Sequence, residues 1–368
     1  MTGTSMDAID AALIAVDGSG LAMRVSIIRH VSHPLGAMAA DLREIAAQCP
    51  TPAGRFATLA RDLALRHVSA IRDLVRRDPI DLIAIHGQTV FHAPPLSWQL
   101  IAPAPIAQSF GVPVVFDLRA ADLAAGGEGA PITPLADFVM FADANETRAV
   151  VNLGGFANFS LLPGSRDSAE ADPLESRVEM IRGGDICACN QLLDAVARRC
   201  FNEPFDDCGR HAGSGAVRAD LCADLAGRLR EQARHGRSLG TGDELGDWID
   251  NHADRCSGRD LARTACEAIA AAIGAAVAQT SRDVGCEAVG AILVAGGGAK
   301  NAVLLTALRE HCTAPVRLTD DFDVPLGHRE AAAMGVLGAL CQDRVAITLP
   351  HVTGVPRPAP IAGTWIHC

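Results

Sequence analysis

Three glycine-rich segments, spread widely along this 368-residue chain, restrict its fold more than any other feature. They are Gly3-Thr4-Ser5-Met6-Asp7, Gly183-Gly184-Asp185 and Gly296-Gly297-Gly298-Ala299-Lys300. A glycine turn presents backbone N–H groups that bind anionic oxygens. A P-loop protein holds phosphate with one such turn. Three distant turns therefore predict a nucleotide held between two domains, as in a phosphotransferase.

Length and composition agree with two soluble domains. Hydrophobic residues make up 49% of the chain, enough for large cores, and its length exceeds that of one ordinary domain. We find neither a long apolar run nor a basic leader, and expect no membrane partner and a cytoplasmic location. The net charge of −11 argues against nucleic acid as a partner. The 12 cysteines lack Cys-x-x-Cys spacing, which is typical of reduced thiols in the cytosol.

Periodicity predicts an α/β fold whose architecture repeats once. The predicted strands are 9–16, 23–29, 82–85, 112–116, 149–153, 158–162, 178–181 and 292–295. The predicted helices include 36–48, 53–77, 190–200, 301–310 and 329–341, and 164–174 is predicted as a loop. The first copy begins near residue 3 and the second near residue 150.

Polar clusters follow two of the buried strands. His86-Gly87-Gln88-Thr89 follows the third strand, and Asp117-Leu118-Arg119 follows the fourth. Open α/β sheets bind ligands at the carboxyl ends of their strands. The first cluster, with His92, suits sugar hydroxyls, a metal, or only the polar groups of a loop. Arg119 suits a substrate carboxylate, or an ion pair with Asp117 or Asp122.

Each glycine segment also has a purely structural interpretation. Asp7 suits Mg²⁺ held through water, or an ordinary hairpin turn. Asp185 suits a general base beside a helix N-terminus that attracts phosphate, or a helix cap. Gly296 to Gly298 suit close approach to adenine, or a strand-to-helix turn, and Lys300 suits phosphate or solvent.

The order of these motifs resembles the anhydro-N-acetylmuramic acid kinase family. The resemblance runs from the first glycine segment through His86 to Thr89 and covers nearly the whole chain. The further segments that carry it are Asp117 to Pro131, Asn152 to Asn158, Asp185 to Asn190, Gly296 to Asn301 and Glu330 to Ala333. The segment from Asp117 to Pro131 is particularly specific.

The resemblance implies a two-domain sugar kinase/hsp70/actin-like (ribonuclease H-like) fold with ATP in the interdomain cleft. It places domain I at residues 1–146 with 347–368 returning to it, and domain II at 147–346. It implies that water opens the 1,6-anhydro ring while O6 receives the γ-phosphate of ATP, in peptidoglycan recycling. It further implies Mg²⁺ bound through ATP, with no direct protein ligands, and a homodimer.

The same resemblance assigns site residues. It implies that Asp185 is the catalytic base and that His86, Gln88, Thr89, Asp117, Arg119 and Glu330 line the sugar pocket. The ATP-binding residues that it implies are Gly3, Thr4, Ser5, Met6, Asp7, Ala8, Ile9, Asp10, Gly154, Gly155, Gly296, Gly297, Gly298 and Asn301.

Three departures from the family pattern leave alternatives open. Cys187 and Cys189 stand in a turn where the family has a hydroxyl and glycines, and Ala102 replaces a carboxylate. The family also has a strand ahead of the first glycine segment. We therefore expect upstream codons for about six to eight mostly apolar residues. The alternatives are a kinase for another anhydrosugar, such as levoglucosan, and a non-catalytic nucleotide-binding protein.

Overall fold

The computed structural model describes residues 1–3, 5–165, 173–234, 239, 243–286, 288–357 and 360–367. The strands are β1 (Ala8–Asp17), β2 (Arg24–Pro34), β3 (Ile83–Ala84), β4 (Gln88–Ala93), β5 (Leu96–Leu100), β6 (Val114–Phe116), β7 (Arg148–Leu153), β8 (Phe156–Leu162), β9 (Arg182–Ala188), β10 (Ala291–Ala295), β11 (Val316–Leu318) and β12 (Thr364–Ile366).

The helices alternate with these strands along the chain. They are α1 (Met38–Ala46), α2 (Ala53–Val75), α3 (Ala104–Phe110), α4 (Ala120–Ala124), α5 (Pro134–Phe141), α6 (Leu174–Glu179), α7 (Asn190–Phe201), α8 (Ala219–Arg234), α9 (Gly246–His252), α10 (Gly258–Asp283), α11 (Ala302–His311), α12 (Arg329–Gln342) and α13 (Pro350–Thr353). The predicted α/β class is confirmed.

The chain forms two compact units. Unit 1 comprises Met1–Met140, Pro173–Ile181 and Gly327–Cys368, and unit 2 comprises Phe141–Asp172 and Arg182–Leu326. These bounds differ from those read from the sequence, which assigned α12 to the second domain.

Contacts of α12 explain the difference. Gly335 of α12 packs against Ile14 of β1, and Gly338 packs against Ala84 of β3. A Cβ at these glycines would lie 2.8 Å from the Ile14 side chain and 2.6 Å from Ala84 Cβ. Glycine thus lets the helix approach both strands closely, and the helix belongs with them in unit 1.

Unit 2 is built on one five-stranded sheet in the order β11-β10-β7-β8-β9. The first three strands, β7, β8 and β9, are antiparallel neighbours, and β10 and β11 run parallel to β7. In sequence order this is 3-2-1-4-5, the arrangement of ribonuclease H-like domains. Strand β7 is buried from Ala149 onward, as expected for a strand covered on both faces.

Helix α10 is long and apolar enough to cross a membrane by length and composition alone. Within that apolar window 67% of the residues are buried inside the protein. Leu261, Ile269 and Ile273 are each fully buried in the core of unit 2. We therefore interpret α10 as a core helix.

Unit 1 carries its strands in separate sheets within the described residues. Strand β1 pairs antiparallel with β2, β3 pairs parallel with β6, and β12 pairs antiparallel with β6. Strands β4 and β5 form a hairpin that the sequence did not predict. Thr2 forms one antiparallel bridge with Ile9. The expectation about upstream codons stays a prediction.

The prediction for the second glycine segment is wrong. Residues 178 and 179 end helix α6 rather than forming a strand, and Gly183, Gly184 and Asp185 lie inside β9. Each of these three residues pairs with a residue of β8. Ladder hydrogen bonds along β8 compensate for the weak strand propensity of glycine. The predicted loop at 164–174 falls largely outside the described residues.

Candidate active site

The parallel neighbours β3 and β6 bring the two predicted polar clusters of unit 1 together. His86 follows β3 and Arg119 follows β6, so both lie at the same edge of the sheet. Nε of Arg119 donates a hydrogen bond of 3.1 Å to Nε2 of His86. Nη1 of Arg119 donates to the carbonyl of Gly129 at 2.6 Å. Contact of Arg119 with a substrate carboxylate, or with Asp117 or Asp122, stays a prediction.

This hydrogen bond determines the tautomer of His86. Arg119 has only donors, so Nε2 of His86 is the acceptor and the ring proton lies on Nδ1. Burial, and secondly the charge of Arg119, hold the pKa of His86 well below its usual value. Nδ1 is buried and makes no hydrogen bond of normal geometry among the described residues, and a weaker interaction with the Gly87 backbone partly opposes the lowering of the pKa. His86 therefore presents a neutral donor that suits a ligand oxygen.

Gln88 and Thr89 begin strand β4 beside this pair. Gln88 is 1% exposed, and its Oε1 accepts no hydrogen bond within the described chain. Its Nε2 donates to the Thr89 carbonyl at 3.2 Å, and Gln99 Nε2 lies 3.4 Å from Thr89 Oγ1. Gly87 is required here, because a Cβ would lie 2.6 Å from the Leu100 carbonyl oxygen.

Two carboxyl groups of unit 1 have raised pKa values. Burial raises the pKa of Glu330, in the first turn of α12, although Arg329 and Arg119 oppose the shift. Burial also raises the pKa of Asp117, a residue with the unusual φ of +55°. Strained backbone and perturbed carboxyl groups are frequent at functional sites.

The first glycine segment is anchored by Met6. Its side chain is buried in the core with Ile9 and Leu42, and its φ is +51°. The Asp7 carboxylate accepts hydrogen bonds from Ser5 Oγ at 2.6 Å and from the Ala8 amide at 2.9 Å. These contacts make Asp7 a turn-closing residue as well as an exposed carboxylate.

The other predicted residues of this segment have different environments. Asp10 accepts a hydrogen bond of 2.5 Å from Ser32 Oγ, and Gly3 is partly exposed. Ile9 has a buried side chain, so only its backbone can meet a ligand. Thr4 lies outside the described residues.

In unit 2, the glycines that follow β10 pack against the last residues of the neighbouring strand β7. The two strands are parallel neighbours, and β7 leads into Gly154 while β10 leads into Gly296. Gly296 has φ +89°, and a Cβ there would lie 2.7 Å from Asn152 Oδ1. At Gly298 a Cβ would lie 2.8 Å from Leu153 Cβ. Gly296 and Gly298 thus allow the turn after β10 to pack closely on Asn152 and Leu153 of β7.

The prediction that the first backbone amides of α7 bind phosphate is wrong, because these amides already donate hydrogen bonds within the protein. The Asn190 amide donates to the Gly154 carbonyl at 3.1 Å. The amides of Cys189 and Gln191 both donate to the Gly155 carbonyl at 3.0 Å. These N–H groups are occupied by protein, so the glycines after β7 hold the helix in place.

Asp185 lies next to an irregularity of β9. It pairs with Asn158, and the register then shifts so that Cys187 pairs with Ala157. Ile186, the extra residue between them, forms a β-bulge. Such bulges redirect side chains near active sites. Oδ2 of Asp185 accepts a hydrogen bond of 2.7 Å from the Leu239 amide. The contact favours the ionised carboxylate, the form that a general base needs.

The unusual cysteines beside Asp185 are core residues. Cys187 and Cys189 are fully buried, and burial raises the pKa of both thiols. They stand at the two glycine positions of the family pattern, Ile186 stands at the hydroxyl position, and all three side chains pack in the core.

Asn301 and Lys300 differ in exposure. Asn301 is 8% exposed, and its Oδ1 accepts hydrogen bonds from the Val303 and Leu304 amides at 3.1 Å as the N-cap of α11. Lys300 is exposed. Contact of the Asn301 side chain with nucleotide remains a prediction, because the structure gives that side chain a capping role.

Sequence reasoning did not predict three buried contacts of unit 1. Asp122 accepts hydrogen bonds from the Gly129 amide and Thr353 Oγ1, both at 2.7 Å. Arg329 and Asp137 form a buried ion pair next to Glu330 in sequence. No signal in one sequence shows which distant residues pair. In the described part of the chain, no group of three His, Cys, Asp or Glu side chains is arranged to hold a metal.

Glycine segments at the edge of a ribonuclease H-like sheet, together with a second α/β unit, are the features of the sugar kinase/hsp70/actin-like fold class. The family model for anhydro-N-acetylmuramic acid kinase matches residues 1–365. The chain therefore belongs to the anhydro-N-acetylmuramic acid kinase family, and it is a kinase.

Two relatives that carry the family name agree with this assignment. The anhydro-N-acetylmuramic acid kinase of Salinibacter ruber is 36% identical, over 98% of this chain and 94% of the relative. The enzyme of the same name from Bordetella pertussis is 36% identical, over 99% of this chain and 93% of its own length. A solved ROK family glucokinase from Streptomyces griseus aligns over 89% of this chain and 99% of its own, with 16% identity and a TM-score of 0.39.

Proposed function

We propose that this kinase converts 1,6-anhydro-N-acetylmuramic acid, ATP and water into N-acetylmuramic acid 6-phosphate and ADP. The full-length family match carries the proposal. The function fits a cytoplasmic step of peptidoglycan recycling with a small-molecule substrate. A homodimer is the assembly we expect, and light scattering tests it.

Asp185 is the proposed general base. It takes a proton from water as the water oxygen bonds to the anomeric carbon. The bond from that carbon to O6 breaks, and O6 takes the γ-phosphoryl group while ADP leaves. The hydrogen bond from the Leu239 amide supports an ionised Asp185.

The polar cluster of unit 1 is proposed to bind the sugar. The donor at His86 Nδ1 and the acceptor at Gln88 Oε1 are both buried and make no hydrogen bond of normal geometry within the described residues. Such groups cost free energy unless a ligand or water satisfies them, and sugar hydroxyls are both donors and acceptors. Thr89, Asp117, Arg119 and Glu330 complete the proposed sugar site.

Backbone amides near Gly3 to Asp10, Gly154, Gly155 and Gly296 to Gly298 are proposed to hold ATP. Gly297 is exposed, and a Cβ there would meet only Asn190 Nδ2 at 4.0 Å, so the open backbone at this position supports a flat ligand there. Asp7 would hold the Mg²⁺ that accompanies ATP through water, and the ion would neutralise the developing phosphate charge. Phosphoryl transfer depends mainly on such positioning and charge neutralisation.

Ala102 favours a second candidate function, the phosphorylation of a smaller anhydrosugar such as levoglucosan. The residue packs with Leu100 and Ile101 against apolar residues and adds no polar group. A pocket without the family carboxylate makes one polar contact fewer with a substituted sugar.

One assay separates the alternatives. The purified protein is incubated with ATP, Mg²⁺, ¹⁸O-labelled water and each anhydrosugar in turn, and ADP and the product masses are measured. We expect ADP release with anhydro-N-acetylmuramic acid and one ¹⁸O in the sugar phosphate. Turnover of levoglucosan alone supports the second candidate. Nucleotide binding without turnover of either sugar supports a non-catalytic protein and overturns the proposal.

A further inference from the structure

Asp122, in α4 of unit 1, is a fully buried carboxylate that has no place in the proposed chemistry. Oδ1 accepts a hydrogen bond of 2.7 Å from Thr353 Oγ1. Oδ2 accepts one of 2.7 Å from the Gly129 amide. Burying a carboxylate is costly unless hydrogen bonds compensate, so its retention needs a reason.

The turn from Gly126 to Gly129 is wrapped around this carboxylate. A Cβ at Gly127 would lie 2.3 Å from Asp122 Oδ2, so only glycine fits. Gly129 has φ +69°, where a side chain would be strained. The Gly127 amide donates to the Asp122 carbonyl at 2.9 Å. The shape of the turn therefore depends on Asp122.

Helix α13 holds the same turn from the C-terminal end of the chain. Thr353, which is 1% exposed, donates its hydroxyl to Asp122, and its carbonyl accepts from the Glu128 amide at 2.8 Å. One residue thus contacts both the carboxylate and the turn.

The turn also contacts Arg119 and fixes the position of its side chain. The Gly129 carbonyl accepts a hydrogen bond of 2.6 Å from Arg119 Nη1, while Nε of the same guanidinium donates a hydrogen bond to His86. An arginine side chain has many rotamers, and ordering it requires fixed acceptors. The Gly129 carbonyl and His86 are two such acceptors with fixed positions.

We propose that Asp122 and Thr353 are positioning residues of the sugar site, acting through the Gly129 carbonyl to hold Arg119 against His86. The expected effect on kinetics rests on the proposed function. The structural part of the inference, that Thr353 is coupled to the Arg119–His86 contact, does not depend on which sugar the kinase uses.

The test uses two threonines of the same C-terminal segment. Thr353→Val removes the hydroxyl that reaches Asp122, and Thr353→Ser restores a hydroxyl. Thr348→Val is the matched control, because Thr348 is 4% exposed and its Oγ1 has no partner among the described residues. Asp122→Asn, which keeps the shape but removes the charge, is the second variant.

The first readout is the titration of His86 by ¹⁵N NMR of the histidine rings in the full chain, assigned with His86→Gln. The charged groups near His86 are Arg119 and the amino terminus of Met1. In Thr353→Val the pKa of His86 is expected to rise, because the guanidinium moves away, although burial still lowers it. Thr353→Ser and Thr348→Val are expected to titrate like the parent.

The second readout is steady-state kinetics with the accepted anhydrosugar. We expect Thr353→Val to raise KM about tenfold with kcat within about twofold, since one hydrogen bond that orders the binding site is lost. A His86 titration that is equal in Thr353→Val, Asp122→Asn and Thr348→Val, in folded proteins, overturns the inference. If neither sugar is turned over, the proposed function fails but the NMR result still decides this one.

Discussion

Arg119 donates a hydrogen bond to His86 across two neighbouring parallel strands, although the residues are 33 positions apart in sequence. The contact joins two motifs that each end a strand, and it makes His86 a neutral donor. The sugar site proposed for unit 1 is therefore an arrangement of hydrogen-bond donors and acceptors around one guanidinium.

Replacing Arg119 with Met is expected to raise KM for the sugar and lower kcat/KM by about 10- to 100-fold, since a charged donor contributes more than a neutral one. The pKa of His86 should rise in the same variant, because a nearby positive charge is removed. Kinetics and histidine NMR measure the two effects. Arg55→Met is the control, because Arg55 only pairs with Asp41 on the surface. An unchanged KM would remove Arg119 from the sugar site.

Asp185→Asn is expected to lower turnover by about 10² to 10⁴ while leaving nucleotide affinity nearly unchanged. Asn can still accept the hydrogen bond from the Leu239 amide, so the fold should persist. Single-turnover assays and nucleotide titration by calorimetry test this. Near-normal turnover of the variant contradicts a role as general base.

Gly296 and Gly297 provide a matched pair of substitutions. Gly296→Ala is expected to destabilise the protein by about 1 to 3 kcal/mol, because its φ is +89° and a Cβ would meet Asn152 and Leu153. Gly297→Ala meets only Asn190 Nδ2 at 4.0 Å and should leave stability within about 0.5 kcal/mol. Urea unfolding measures both. If Gly297 lines the nucleotide, its variant should lose ATP affinity without losing stability, and equal ATP affinity argues against that contact.

The buried pair of Arg329 and Asp137 should be more costly to break than to replace. Asp137→Ala leaves the guanidinium buried without its partner and is expected to cost about 3 to 5 kcal/mol. The double variant Arg329→Met, Asp137→Leu should be more stable than Asp137→Ala, since no charge remains buried. Chemical denaturation of the three proteins tests the order. A double variant that is less stable than the single one would show that the pair itself is strongly favourable.

The pH dependence of stability should reveal Asp194 of α7. Burial raises the pKa of Asp194 to about 6, although Arg198 opposes the shift. Its folded-state pKa lies above the unfolded value. Its contribution to the free energy of unfolding is therefore fully present at pH below about 4 and is lost as pH rises through about 6. Relative to Asp194→Asn, the parent protein should therefore lose about 1 to 2 kcal/mol between pH 4 and pH 7, after discounting for solvent screening. Denaturation curves of both proteins at several pH values measure the difference, and a constant difference contradicts the shift.

Most of the regular elements could be predicted from local patterns. Helix α2 begins at Ala53 as predicted, and the strand predicted for residues 149–153 matches β7. The hairpin of β4 and β5 was not predicted, because its register depends on pairing such as Thr89 with Gln99. Gly183 and Gly184 resemble a turn in sequence, yet pairing with β8 makes them part of a strand.

The sequence by itself determined the α/β class, the family and the identity of the candidate groups, because periodicity and motif order are local properties of the chain. Only the tertiary structure decided what each group contacts. In the structure, the buried Asn301 side chain caps helix α11, and the first amides of α7 donate to the Gly154 and Gly155 carbonyls. Arg119 donates a hydrogen bond to His86. Hydrogen bonds between distant residues depend on strand order and packing, which a motif does not encode.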